Sequence, residues 1–428
     1  MPAGFFPVMC KDQKFLSGVD SMQDTTAPHF PQEDPAITAA KLMQRMGFLT
    51  LLLLLPFIAT LSRRAGVVLF PTAIGFFLVS LIFSQRLPDL QQIKKAIISI
   101  PALSAIIILI WCVLSLLWSP HFDRAFARIN DLFFVLACFL VGYWAIPERV
   151  KASNINFLPI GVFLAIASHI MIFSSDTIGL SDTDLELSLR GQIILLLFLW
   201  PAVSWLWYRN YRFSVGIMII LAGMVVFFNG FIIANVAFIW SIIIFLLTLI
   251  NRKITGWLLG LVIIGFVLLA PLFGFLPAGL VSLFPEVLKP DLVAYQDWWS
   301  TIQQDPLRLV TGYGLEAYNL KAIYEGWPHS LGAITWIELG IVGVVGVIIF
   351  AVSIIFVTLQ KNSLMAPGIF ATLAVMLTCS QMGIRVTQSW LVISVAALFL
   401  VFISAQRSPF KTQRPLAFFT RKSSQSDN

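Results

Sequence analysis

Charge is scarce in this sequence. Only 11% of its 428 residues are Asp, Glu, Lys or Arg, while 58% are hydrophobic and the mean hydropathy is +0.89. Soluble domains carry about 25% charged residues, so the composition excludes that class. Cysteine is equally sparse: Cys10, Cys112, Cys138 and Cys379 are scattered along the chain. They form neither a disulfide framework nor a metal-ligand spacing and read as small apolar packing residues. No Walker sequence is present, which excludes direct use of ATP through a phosphate loop. No apolar segment with a cleavage site opens the chain. Residues 1–45, with Pro28, Pro31 and Pro35 among polar side chains, are therefore expected as a disordered cytoplasmic tail and not a signal peptide.

What the sequence has instead is long apolar runs. A helical membrane span needs roughly 20 apolar residues, and candidate spans lie near 47–62, 65–83, 97–118, 131–147, 157–173, 191–208, 213–228, 231–250, 256–275, 333–358, 367–384 and 388–405. Lipid offers backbone groups no hydrogen-bond partner, so spans are helices or barrel strands. Continuous runs without ten-residue alternation select helices. The expectation is an all-α integral membrane protein with about 12 transmembrane helices. It divides into a tail (1–45), helices 1–9 (46–275), a structured loop with short helices (276–332), helices 10–12 (333–405) and a basic cytoplasmic tail (406–428).

The net charge of +7 follows this topology and does not point to nucleic acid. With both termini placed in the cytoplasm, the 28 Lys and Arg residues divide 19 to 9 in favour of that side. This is the asymmetry of the positive-inside rule. The basic tail beyond Arg407 is expected to lie against anionic membrane lipids.

Two segments on the opposite side stand out. Residues 174–190 carry four carboxylates and end in Arg190, and residues 276–332 form the one long internal loop. Within that loop Asp291 to Gln304 has Leu292, Tyr295, Trp298, Trp299 and Ile302 at helical spacing. The tryptophans suit the headgroup region. Asp305-Pro306 ends this helix, Gly312-Tyr313-Gly314 makes a turn, and Glu316 to Glu325 reads as a second short helix.

Ionisable groups near spans are costly and often functional. Arg190 begins the sixth span beside Gly191; it is either a snorkelling anchor or a planar cation placed to grip a diphosphate. His329, in Trp327-Pro328-His329-Ser330, has an ordinary pKa near 6.5 and can take a proton from a hydroxyl at neutral pH. His169 reads as a hydrogen-bonded bundle residue, and Glu338 as a carboxylate at a helix N-terminal dipole. Arg385 is a second cation or an anchor, and Arg308 balances a neighbouring carboxylate. No His/Asp cluster has metal-ligand spacing.

These residues sit in a recognisable order. Thr311-Gly312-Tyr313-Gly314-Leu315, then Trp327-Pro328-His329-Ser330, then Ile337-Glu338-Leu339-Gly340-Ile341-Val342-Gly343 resembles the O-antigen ligase and polymerase family. Arg190-Gly191 with Trp200-Pro201, and Leu117-Trp118-Ser119-Pro120 followed by Arg124 and Arg128, resemble that family's span junctions. The resemblance spans roughly 45–405. It implies a GT-C-like, metal-independent, inverting membrane glycosyltransferase of the bacterial inner membrane, with no cofactor and its active face periplasmic. The implied donor is an undecaprenyl-diphosphate-linked glycan. The acceptor is lipid A-core in lipopolysaccharide biosynthesis, or a growing glycan for an O-antigen or exopolysaccharide polymerase. His329 would act as catalytic base, with Arg190, Arg385 and Arg308 as diphosphate-binding residues and Tyr313, Gly314 and Glu338 as positioning residues. Two departures stand beside it. Many members open the eighth span with Ser-Arg, where this chain has Phe228-Asn229-Gly230-Phe231, and Val293-Ala294-Tyr295 replaces an early loop-helix Arg. A catalytically degenerate member and a lipid-linked sugar transporter are the alternatives.

Overall fold

The structure, a computed structural model, describes residues 35–62, 64–84, 98–175, 182–275, 289–317, 330–361, 363–382 and 388–408. Every regular element among them is helical. In chain order these are α1 (Pro35–Leu61), α2 (Ala65–Phe83), α3 (Ile100–Trp118), α4 (Phe122–Ala145), α5 (Ala152–Met171), α6 (Glu186–Tyr208), α7 (Arg212–Phe228), α8 (Ile232–Ile250) and α9 (Arg252–Leu268). After them come α10 (Lys289–Gln304), α11 (Leu307–Thr311), α12 (Leu331–Gln360), α13 (Ala366–Gln381) and α14 (Ser389–Gln406).

Helices stand at all twelve places where the sequence has an apolar run, and α10 and α11 lie in the long loop. Among the described residues, nine of the helices are long and apolar enough to cross a membrane. The other three, α7, α9 and α13, have 17, 17 and 16 residues. Several boundaries differ from the hydropathy reading for one reason. A charged residue lowers hydropathy without breaking a helix. Thus α4 starts at Phe122 and carries Asp123, Arg124, Arg128 and Asp131 in its first turns. Likewise α1 starts at Pro35, inside the expected tail, and the helix leading into α6 begins at Asp182, inside the acidic segment.

Contacts sort the helix ends into two groups. At one end Arg128 of α4 meets Ser389 of α14, and Trp390 of α14 lies under Arg190 of α6. Here, too, Ser119 after α3 bonds Leu315 of the loop. At the other end Ser80 of α2 bonds the Ala40 carbonyl, and Arg407 after α14 bonds the Tyr143 and Ile146 carbonyls. The first is the loop end. Running between the two, α6 is the central helix: 78% of its apolar window is buried, against 17% for α3. Lipid supplies no hydrophobic drive between helices, so close approach of small residues matters. At Gly191 of α6 an added Cβ would lie 2.6 Å from the Thr60 carbonyl oxygen and 2.8 Å from His169 Nε2.

Candidate functional site

The loop end is organised by a break in α12. Gly340 has φ 62° and ψ −161°, so the helix stops and restarts there. A break leaves carbonyls without their i+4 donors, and buried orphan carbonyls are costly away from water. Three groups from outside the helix supply the donors. The Tyr313 amide donates to the Ile337 carbonyl at 2.7 Å and the Gly314 amide to the Glu338 carbonyl at 3.0 Å. Trp111 Nε1, in α3, donates to the Leu339 carbonyl at 2.9 Å. The Gly-rich turn and the Glu-Leu-Gly segment are thus one backbone lock.

Glycine is required where the two segments cross. Gly312 and Gly340 both have positive φ, 71° and 62°. A Cβ on Gly312 would sit 2.4 Å from the Glu338 carbonyl oxygen, and one on Gly340 2.3 Å from that of Val310. Both obstacles are backbone, so no rotamer change relieves them. Gly314, at φ 94°, faces the Ser119 Cα in the same way.

A third segment completes the lock. Ser119, in the Leu117–Pro120 motif, donates from Oγ to the Leu315 carbonyl at 2.7 Å. The next loop residue, Glu316, is buried and held at φ 64°, a conformation uncommon for a residue with a side chain. Its carboxylate accepts from Arg128 Nε at 2.9 Å. Arg128 Nη1 also donates to Ser389 Oγ at 3.3 Å, and Ser389 Oγ donates to Asp131 Oδ2 at 3.2 Å. One guanidinium therefore ties α4, α14 and the loop together. Glu316 lies in this turn, immediately before Ala317, which is helical; the rest of the short helix expected over Glu316 to Glu325 lies outside the described residues.

Arg190 and Arg308 are both engaged. Arg190 Nη2 bonds Glu186 Oε1, one turn earlier, at 2.5 Å, and its guanidinium lies 5.8 Å from the Trp390 ring centroid. The two residues line a narrow cleft with Ser62, Gly66, Leu187 and Ser394. Arg308 meets Asp305 at 3.3 Å, as expected for a charge-balancing role, and also donates to the Gly312 carbonyl at 3.4 Å. Its guanidinium stands over Tyr313 at 5.5 Å, bracing the turn.

Other expected residues divide. The amphipathic reading of α10 holds for Tyr295, Trp298 and Ile302, all buried. Trp298, however, is fully enclosed by protein, because its ring packs into the helix core and not among headgroups. Tyr295, in the Val293–Tyr295 stretch that departs from the resemblance, hydrogen-bonds Ser330 Oγ. Ser330 in turn accepts from the Ala333 amide at 3.2 Å and so caps α12. At the other departure, Asn229 donates to the Val225 carbonyl at 2.7 Å and closes the end of α7. His169 Nδ1 lies 3.0 Å from the Ala165 carbonyl, which only accepts, so that nitrogen donates. Glu338 is buried beside the break. His329 and Arg385 lie outside the described residues. Trp111, Glu186, Glu316 and Trp390 had no functional role in the sequence reading, and Arg128 entered it only with Arg124 in the resemblance at a span junction.

Fold and site together define a multi-helix bundle of membrane type with one charged, backbone-locked end. Comparison with protein-family models, curated proteins and solved structures finds no match.

Proposed function

We propose that this chain is a multi-pass membrane glycosyltransferase that moves a glycan from a polyprenyl-diphosphate carrier to an acceptor hydroxyl at the loop end. One observation carries the reading. The Leu117–Pro120, Thr311–Leu315 and Ile337–Gly343 segments, whose residues carry the resemblance to O-antigen ligases and polymerases, meet at one end of the bundle. Arg190 lies at the same end. In this proposal both termini are cytoplasmic, the loop end is periplasmic, the membrane is the bacterial inner membrane, and ligation to lipid A-core ranks ahead of polymerisation.

The chemistry would run as follows. The acceptor oxygen attacks the anomeric carbon, and the bond from that carbon to the diphosphate oxygen breaks with inversion. The electron pair leaves on the diphosphate, and the hydroxyl proton passes to the His329 imidazole. Arg190 would stabilise charge that grows on the leaving group. In the free protein Glu186 occupies Arg190. An exposed i, i+4 ion pair is worth only about 0.3–0.5 kcal/mol, so a diphosphate displaces it readily.

A transport reading would place a broken helix around an ion or substrate. The break at Gly340 does not favour it, because loop amides and Trp111 already occupy the carbonyls of Ile337, Glu338 and Leu339. The test uses purified protein with an undecaprenyl-diphosphate oligosaccharide and either lipid A-core or a second lipid-linked glycan, scored by product mobility. Transfer by the native chain, lost in His329→Ala at unchanged membrane level, is the expected result. Undiminished transfer by His329→Ala would sink the mechanism.

A further inference from the structure

The end of the bundle away from the loop carries cations of a different kind. No Asp or Glu occurs between Glu186 and Glu286, and within that stretch Arg209, Arg212, Arg252 and Lys253 occupy the tips of two helical hairpins, α6–α7 and α8–α9. The tips are neighbours. Trp207, in the last turn of α6, packs on Phe245 of α8 at 6.3 Å, and Arg252 is close enough to Tyr208 to act on it electrostatically. Arg209 stands over Trp205 at 5.2 Å and Arg212 over Trp207 at 5.6 Å. Arg209 Nη1 is buried and has no acceptor within the protein, and among the described residues no carboxylate pairs with any of the four cations. Directly beside them Phe213, Ile250, Ile254 and Trp257 are strongly exposed apolar side chains.

We propose that these paired hairpin tips form a binding site for the phosphate of an anionic phospholipid headgroup. The guanidinium groups of Arg209 and Arg212 lie over indole rings, and their planar forks suit phosphate oxygens. Stacking holds them in place without neutralising them, as a carboxylate would. The exposed apolar side chains continue away from the cations and supply a surface for acyl chains. That surface distinguishes a lipid from free phosphate, which has no use for it. A basic pocket between helices, flanked by apolar surface, is the general form of such sites. The site does not depend on the proposed transfer reaction.

The experiment titrates the purified full-length chain in detergent with phosphatidylglycerol, phosphatidylcholine or inorganic phosphate and counts retained lipid by native mass spectrometry. Phosphatidylglycerol should be retained in preference to phosphatidylcholine, and affinity should fall about fivefold for each of Arg209→Gln, Arg212→Gln, Arg252→Gln and Lys253→Gln. Arg149→Gln and Lys151→Gln, elsewhere at the same end, should leave it within about twofold. Equal retention of the two lipids overturns the proposal. So does an equal loss in the Arg149 and Lys151 variants, which would mean a diffuse surface field. Inorganic phosphate competing at millimolar concentration would also overturn it, since the occupant would then be a free anion. Each variant's melting temperature is measured alongside and should match that of the native chain.

Discussion

At the loop end Arg128, Arg190 and Arg308 each face a carboxylate, Glu316, Glu186 and Asp305 respectively. At the opposite end Arg45, Arg209, Arg212 and Arg407 each stand over an aromatic ring instead. The same residue type is thus used in two ways. A carboxylate partner fixes a guanidinium in direction and cancels its charge, which suits a place where backbone segments must be held in register. An aromatic partner fixes the plane and leaves the charge available. The loop end is therefore built for positioned geometry, and the far end for an external anion.

The strongest way to break this contrast is to compare glycines. Gly340→Ala places a Cβ against the Val310 and Gly312 backbone and puts a side chain in a region of φ and ψ that only glycine occupies readily. We expect a loss of at least roughly 3 kcal/mol, read as collapsed membrane level and a lowered melting temperature. Gly216→Ala, near the opposite end of α7, meets nothing within 4 Å and should be neutral or stabilising by up to about 1 kcal/mol. If both variants behave alike, the loop end is not specially locked.

Next in size is the Arg128–Glu316 pair. Glu316→Gln leaves a guanidinium tied to α4 and α14 without its counter-charge, and only 8% of the Glu316 side chain is exposed. Removing one partner of a fully buried pair costs about 3–5 kcal/mol. Arg128 is 22% exposed, so water offsets part of that cost, and about 2 kcal/mol is the expected loss. A thermal melt of the purified variant measures it. Arg128→Lys should keep less than half of the pair's contribution, because lysine lacks the fork that reaches Glu316 and Ser389 together. Full retention would reduce the contact to simple charge pairing.

How far the sequence leads differs between the two ends for a physical reason. The twelve apolar runs are legible because lipid imposes one solution on backbone polar groups, and helices stand at each. The two hairpin tips are legible as loops for the same reason. The break at Gly340 is not, because Ile337 to Gly343 reads as unbroken apolar helix with one carboxylate. Its glycine differs from the helical Gly343 and Gly346 only in what crosses it, and that partner lies in a distant loop. Glu316 is hidden likewise: nothing local marks it as the acceptor of a cation 188 residues earlier. Gly312-Tyr313-Gly314 announces a turn, yet the reason for two glycines is visible only once Glu338 and Ser119 are beside them.

A smaller effect tests the far end. Arg407 Nη1 donates to the Ile146 carbonyl at 2.7 Å and the Tyr143 carbonyl at 3.3 Å. Arg407→Gln should cost about 1.5 kcal/mol, the low end of the range for hydrogen bonds to charged groups because Arg407 is half-buried. The melt should be insensitive to ionic strength, since those acceptors carry no charge to screen. A strong salt dependence would point to an unrecognised carboxylate and weaken the contrast.

The smallest expected change in stability carries the most functional information. Glu186 is 52% exposed and contacts Arg190 one turn away, so Glu186→Gln should alter the melting temperature by no more than an i, i+4 pair allows, about 0.5 kcal/mol. Its effect on the donor has the opposite sign. On the proposed function, a diphosphate donor would have to displace Glu186 before reaching the guanidinium, and like charge would also repel it. The neutral side chain removes both costs while the Trp390 ring keeps Arg190 in place. Donor KM should therefore fall about two- to fivefold at unchanged kcat, a uniform binding change. Arg190→Lys should do the reverse, because an ammonium cannot make the bidentate contact. If Glu186→Gln instead lowers kcat and leaves KM alone, Glu186 orients Arg190 in the transition state and does not compete with the donor. The carboxylates at the loop end would then all serve positioning, with none acting as a placeholder for substrate.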